Sequence, residues 1–220
     1  MLREILNLLR RDNLLAQALN ECYAMLDLCH PMVHGAINSL RNEDVAYSDV
    51  DVHQVDKKIN SFERDVRRKI VTHLALGNKA DTSSGLALIS IVIDIERIGD
   101  YSKNIVDLAR QHASRLVVAE HEEQVMAIEK ATLGLFDRTV KAFKNADAGE
   151  ARLLMETYKT DVSARWRTIE NKLVAGQTSL GTADAVTLAL YGRFLKRISA
   201  HSKNLATSIV NPVDRIGYSE

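Results

Sequence analysis

The chain has 220 residues, enough to bury a sizeable core as one domain or as two small repeats sharing one. Lys and Arg (29) balance Asp and Glu (29), so nothing in the charge argues for a nucleic-acid partner. Two Pro and ten Gly lean the composition toward helix. No signal-peptide core follows Met1-Leu2-Arg3, and no apolar run approaches the ~20 residues that span a bilayer. A soluble, cytoplasmic protein without membrane insertion is the expectation.

Leu2 to Leu9 reads as a short helix, interrupted at Arg10-Arg11-Asp12-Asn13. Apolar residues then fall at Leu15, Leu19, Cys22, Leu26, Cys29, Val33, Ala36 and Leu40, an unbroken stripe of a helix packed lengthwise in a bundle. Pro31 lies inside the stripe without disturbing its register, so one kinked helix is predicted rather than two. Cys22 and Cys29 share that stripe and read as small buried hydrophobes rather than a disulfide. Asn42 to Tyr47 reads as a loop, and Ser48 with Asp51 resembles a capping box opening a second helix. That helix runs to about Leu76 and ends at Gly77-Asn78.

The third helix spans Asp81 to Ala113, with Asp81, Thr82 or Ser83 to cap it and an apolar first half that implies burial. Ser114 to Ala119 reads as a linker. Helix four runs from about Glu120 to Lys144, with Val125, Ile128, Thr132, Leu135, Phe136 and Phe143 facing inward. Asn145-Ala146-Asp147 turns the chain, and Asp147 caps helix five, which reaches about Ala175. Gly181-Thr182 leads into helix six, ending near Val210 before Pro212. The fold class is therefore all-α, two tandem three-helix bundles: residues 1–113, a linker at 114–119, residues 120–210, and a tail at 211–220 without readable pattern.

An internal repeat supports that division. Ile95-Glu96-Arg97-Ile98-Gly99-Asp100-Tyr101-Ser102-Lys103-Asn104-Ile105 aligns without gaps on Leu195-Lys196-Arg197-Ile198-Ser199-Ala200-His201-Ser202-Lys203-Asn204-Leu205. The two acids of the first copy become Lys196 and Ala200 in the second.

Those acids carry the candidate chemistry. Glu96 and Asp100 lie one turn apart on one face, with Asp107 further along, and like charges so placed need a neutralising cation: Arg97, Lys103 or a metal. Asp56, Asn60 and Glu63 make a matching stripe on helix two. Glu63 lies fourteen residues before Gly77 and Glu96 fourteen after Thr82, so an antiparallel hairpin returns the two stripes to one level. Oxygen donors of this kind suit Mg²⁺, Mn²⁺, Ca²⁺ or iron. A plainer reading makes them a solvated face paired with Arg64, Arg67 and Arg97.

Other patterns are weaker. His30 and His34, one turn apart beside Cys29, have the makings of a zinc site, against which stand the intervening Pro31 and the lack of a fourth ligand nearby. Only Asp27-x-x-His30 comes near the Glu-x-x-His pairs of a di-iron bundle. Trp166 between Arg165 and Arg167 reads as a packed anchor. No phosphate loop, nucleophile elbow or nucleophile–base pair is present.

Asp94-Ile95-Glu96-Arg97-Ile98-Gly99-Asp100, with Asn104 downstream, resembles the signature of the PhoU family of phosphate-uptake regulators, and the resemblance extends over nearly the whole chain. It implies two three-helix repeats and pairs of Glu/Asp-x-x-x-Asp motifs that hold metal clusters. Glu96 and Asp100 match the motif; Asp56 matches its first position, but Asn60 replaces the second acid. Helix five offers Glu156 and Asp161, with Arg165 near. With Lys196 in the place of a ligand, the second site is expected to be metal-free, that ammonium substituting for the ion.

The implied metal set is thus Glu96, Asp100, Asp56, Asn60 and Glu63, in the first repeat only, for an ion among iron, manganese, magnesium, zinc and calcium. The resemblance further implies a non-enzymatic negative regulator of phosphate uptake and phosphate-starvation signalling, a homodimer held near the inner membrane by its partners. Those partners are the phosphate transporter's ATPase subunit and a membrane sensor kinase. The alternatives are an accessory subunit of a secondary phosphate transporter and a metal-free helical adaptor. Arg97 and Arg197, present in both copies, are expected to pair with Asp94 or a helix end.

Overall fold

The structure, a computed structural model, describes residues 13–41, 51–76, 79–112 and 114–218. The short helix expected at Leu2 to Leu9, the Asn42 to Tyr47 loop, Ser48 and the Gly77-Asn78 stop lie outside them. The described residues are all-α, with no strand among them.

Helix α1 (Leu14–Arg41) starts where Asn13 caps it, its Oδ1 accepting from the Ala16 N–H at 2.9 Å. All eight residues of the sequence stripe, Leu15 to Leu40, are buried. Pro31 is accommodated inside a single helix because it faces solvent, where the carbonyl it leaves unbonded can be hydrated. Helix α2 (Val52–Ala75) is capped by Asp51 itself, whose carboxylate accepts from the His53 and Gln54 N–H groups. That corrects the capping box, in which Asp51 was to answer Ser48 from inside the helix. Helix α3 (Thr82–Gln111) follows.

The second half mirrors the first. Helices α4 (Glu122–Asn145) and α5 (Ala148–Thr157) meet at a tight turn, with Ala146 left-handed (φ 51°) and Asp147 capping the Glu150 N–H. Helix α5 continues through a π-helical stretch (Tyr158–Ala164) into α6 (Arg165–Val174), forming one rod that ends at Gly176 (φ 67°). Helix α7 (Thr182–Val210) closes the bundle.

Side-chain pairs fix the directions. Asp81 reaches His73 and Asp107 reaches His53, so α2 and α3 are antiparallel, whereas Cys29 on α1 meets Ile95 on α3 and Leu40 meets Leu116, so those two strands of chain run parallel. In the second half Glu129 meets Tyr191 and Thr132 meets Ser199, giving α4 and α7 the same parallel relation.

The halves join where α3 packs against α7, over one continuous apolar core. The repeat is visible in this contact. Tyr101 and its counterpart His201 stack on each other (centroids 5.7 Å apart), as a pair related by a local two-fold would. The 114–119 stretch, expected as a linker, is anchored: Leu116 and Val118 are buried, and the Leu116 N–H donates to Leu40 O at 2.8 Å. The tail folds back on α7, where Asn211 Nδ2 donates to Arg215 O (3.0 Å) and Tyr218 O (2.8 Å).

Two glycines set close approaches. A Cβ on Gly99 would lie 2.9 Å from Ile59 Cδ1 and 3.6 Å from Cys29 Sγ, so this glycine lets α3 sink between α1 and α2. Gly192 on α7 lies under the Trp166 ring, where a Cβ would fall 2.0 Å from ring carbon Cζ3. Trp166 is the packed anchor expected, with Arg165 and Arg167 exposed beside it.

Candidate functional site

The antiparallel α2–α3 hairpin brings the two acidic stripes together as the residue count implied. Ile59 against Gly99 sets the level. One turn to one side, Asp56 faces Asp100 and Lys103; to the other, Glu63 lies close enough to Glu96 to disfavour its charge. All five expected residues therefore line one face, and Asn60 Nδ2 donates to Asp56 Oδ2 at 3.2 Å.

The space between the stripes is taken by Lys103. Its ammonium donates to Asp100 Oδ1 at 2.8 Å and to Asp56 Oδ2 at 3.2 Å. Burial pulls the Lys103 pKa down, but the bonds to the two carboxylates outweigh it and the pKa lies above its ordinary value. Arg97 lies 3.3 Å from Glu96 and 3.7 Å from Asp100, and Arg67 lies 2.7 Å from Glu63. Four carboxylates thus face three cations, leaving one net negative charge. At Glu96 the setting disfavours the charged form: burial raises its pKa, Arg97 opposes the rise, and Glu63, Asp100 and Asp56 add to it.

The donor chemistry would suit a hard cation, but the arrangement does not. Lys103 already bridges the two aspartates that a metal would share, and its ammonium would repel an ion placed beside it. Of the cations that the spacing admitted, Lys103 and Arg97 are both in contact with the acids.

The second repeat is built differently. Lys203, counterpart of Lys103, reaches back to the tail and donates to Gly217 O at 2.5 Å, and burial lowers its pKa. On the π-helical stretch Asp161 pairs with Arg165 at 3.6 Å, while Glu156 is exposed. Arg197 donates to Tyr101 Oη at 3.2 Å and lies over its ring. Neither arginine holds Asp94, one of the two partners expected for them. Asp94, buried at the α3–α7 contact, accepts instead from His201 Nδ1 (2.7 Å) and Asn204 Nδ2 (2.9 Å). Single-sequence reading missed this triad, although the repeat alignment hinted at it by placing a His where the first copy has Tyr101.

A second polar junction also escaped notice. Arg41, nearly buried at the end of α1, donates to Glu129 Oε1 at 2.9 Å and to Leu116 O at 2.5 Å, and pairs with Glu122. Tyr191 Oη donates to the same Glu129 oxygen at 2.7 Å. Burial raises the Glu129 pKa, offset by the bonds from Tyr191 and Arg41. Arg41 thereby ties α1, the 114–119 stretch, α4 and α7 together.

The histidine pair gains a partner that spacing did not reveal. His30 Nε2 and His34 Nε2 lie 3.3 and 3.1 Å from the same oxygen, Oδ1 of Asp137 on α4. The residues belong to different repeats, so no local motif joins them. Cys29 takes no part: its thiol donates to Ile95 O, and burial pushes its pKa well up, as it pushes that of Cys22 up to about 12.

A family model described as the PhoU domain matches residues 23–109, the half that carries the intact Glu96/Asp100 motif. The phosphate-specific transport system accessory protein PhoU homolog of Pseudomonas aeruginosa is 28% identical over 192 residues, 85% of this chain and 78% of that protein. The protein of the same description from Pseudomonas putida is 28% identical over 194 residues, 85% of this chain and 74% of its own length. The crystal structure of PhoU from Pseudomonas aeruginosa superposes with a TM-score of 0.79 at 25% identity, covering 90% of this chain and 95% of that one. The phosphate transport system regulatory protein PhoU of Streptococcus pneumoniae shares the fold, with a TM-score of 0.68 at 18% identity over 89% of this chain and 92% of that one.

Proposed function

The chain is a PhoU-family protein, and from that premise we propose that it is the accessory regulator of a phosphate transport system, acting by protein contact. The observation that carries this reading is a likeness running through both repeats, the second included, where the metal-motif acids are gone. What the two halves share is a shape and a helix face rather than a metal pair. That favours a docking role over catalysis. The two thiols are buried and held protonated, and the acidic face is ion-paired, so the surface offers recognition rather than bond-making.

In this reading the α2–α3 face, with four carboxylates against three cations, docks on a basic surface of the transporter's ATPase subunit, and a membrane sensor kinase is read out through the same regulator. Lys103 is the counter-ion of the stripe, so docking needs no metal. Phosphate uptake measured in a strain lacking the gene tests it. Uptake at high phosphate should be unrestrained, restored to control by the wild-type chain and not by folded Glu63→Ala/Glu96→Ala. Control by that variant equal to wild type would remove the face from the function. Elemental analysis of chelator-free protein tests the counter-ion: stoichiometric metal lost in Glu96→Ala/Asp100→Ala would overturn Lys103 in that role.

A further inference from the structure

We propose that His30, His34 and Asp137 form a binding site for one divalent transition-metal ion of the zinc type, clamping α1 of the first repeat to α4 of the second. Two imidazoles and one carboxylate are the ligand set that zinc takes when a fourth position is left open. Among the described residues, this is the group of three His, Cys, Asp or Glu ligand atoms lying within 4.8 Å of one another. The acidic stripe, bridged by Lys103, does not gather in that way.

The distances fit. Ligands at ~2.0–2.2 Å from a tetrahedral zinc stand about 3.3–3.5 Å from each other. The two imidazole nitrogens stand 3.3 and 3.1 Å from Asp137 Oδ1, so an ion fits between them after small side-chain shifts. The rigid parts are in place already. His30 and His34 lie one turn apart on α1 with rings stacked at 4.6 Å, both turned toward the same oxygen. Pro31 between them does not break the helix, so it does not disqualify the pair. The site opens on a groove lined by Pro31, Gly35, Asn38 and Leu133, from which water can fill the fourth position.

A plain histidine–aspartate pairing explains part of this geometry. One carboxylate oxygen has lone pairs for both imidazoles, and the same convergence gathers three ligand atoms around one point. Soft nitrogen donors also separate this site from the all-oxygen stripe: it should prefer Zn²⁺, Co²⁺ or Ni²⁺ over Mg²⁺ and Ca²⁺.

The test is titration of tag-free protein with Zn²⁺ against a chromogenic chelator. One equivalent should bind to wild type and to Glu96→Ala/Asp100→Ala alike. Affinity should fall by at least about 10-fold in His34→Ala, since losing a ligand costs no less than losing the group behind one. Asp137→Ala should weaken it similarly. These side chains are substantially exposed, so the variants should keep wild-type helicity and the comparison remains meaningful. Co²⁺ should give a visible spectrum of tetrahedral intensity that His34→Ala abolishes. Absence of binding to wild type, binding unchanged in His34→Ala and Asp137→Ala, or binding lost in Glu96→Ala/Asp100→Ala would each overturn the proposal.

Discussion

Replacing Lys103 by Met removes the ammonium while keeping most of the side-chain stem and its helix propensity. Asp56 and Asp100 then lose the donor that bridges them at 3.2 and 2.8 Å. The side chains involved are 11–24% exposed, intermediate between surface pairs, worth up to about 1 kcal/mol, and buried pairs, whose breaking costs about 3–5 kcal/mol. A loss of about 1–3 kcal/mol follows, or roughly 3–10 °C in the melting midpoint of a chain this long. The assay is thermal denaturation by circular dichroism, first with chelator and then with Mg²⁺ or Mn²⁺. In chelator Lys103→Met should melt lower than wild type. With the cation present it should recover part of the loss, because the vacated place between the aspartates now suits a hard ion, whereas wild type should not respond. A variant as stable as wild type in chelator, or a wild type that gains as much from the cation, would refute Lys103 as the neutralising group.

Gly192→Ala would set a Cβ 2.0 Å from the Trp166 ring, so overpacking should cost at least about 1–3 kcal/mol in urea denaturation. Trp166 is the chain's single tryptophan, so its fluorescence should also shift to the red; an unchanged midpoint and spectrum would contradict the contact. Asp94→Ala strips the buried acceptor from His201 and Asn204 and should cost about 1–3 kcal/mol, read as a lower melting midpoint. Glu120 accepts from Ser179 and Thr178, and those bonds lower its pKa to about 2. A depressed acid contributes stability above its ordinary pKa and loses it as pH falls. Between pH ~5 and pH ~2 wild type should therefore lose more stability than Glu120→Gln, and parallel curves would dismiss the effect.

The helices were legible because their signals are local. The α1 stripe is a periodicity, Asp147 and Gly176 are termini with a mechanism, and the matched height of Asp56 to Glu63 with Glu96 to Asp100 is a residue count along a hairpin. What escaped lies between repeats. Asp94 with His201, Arg41 with Glu129 and His34 with Asp137 join residues roughly ninety to over one hundred positions apart, and no spacing rule reaches that far. Lys103 was recognisable as a candidate, three residues from Asp100, but only the packing of α2 shows it also reaching Asp56. The capping error at Asp51 is of another kind: Ser48 and Asp51 both suit an N-cap, and the side chain that bonds the His53 and Gln54 N–H groups decides.

Docking through the α2–α3 face is the central claim, and co-purification with the transporter's ATPase subunit tests it most directly. Wild-type chain and Lys103→Met should both be retained by the tagged subunit, the first without added metal. Folded Glu63→Ala/Glu96→Ala should be lost from the complex. Equal retention of that variant, or wild-type binding that vanishes in chelator, would contradict a metal-free docking face.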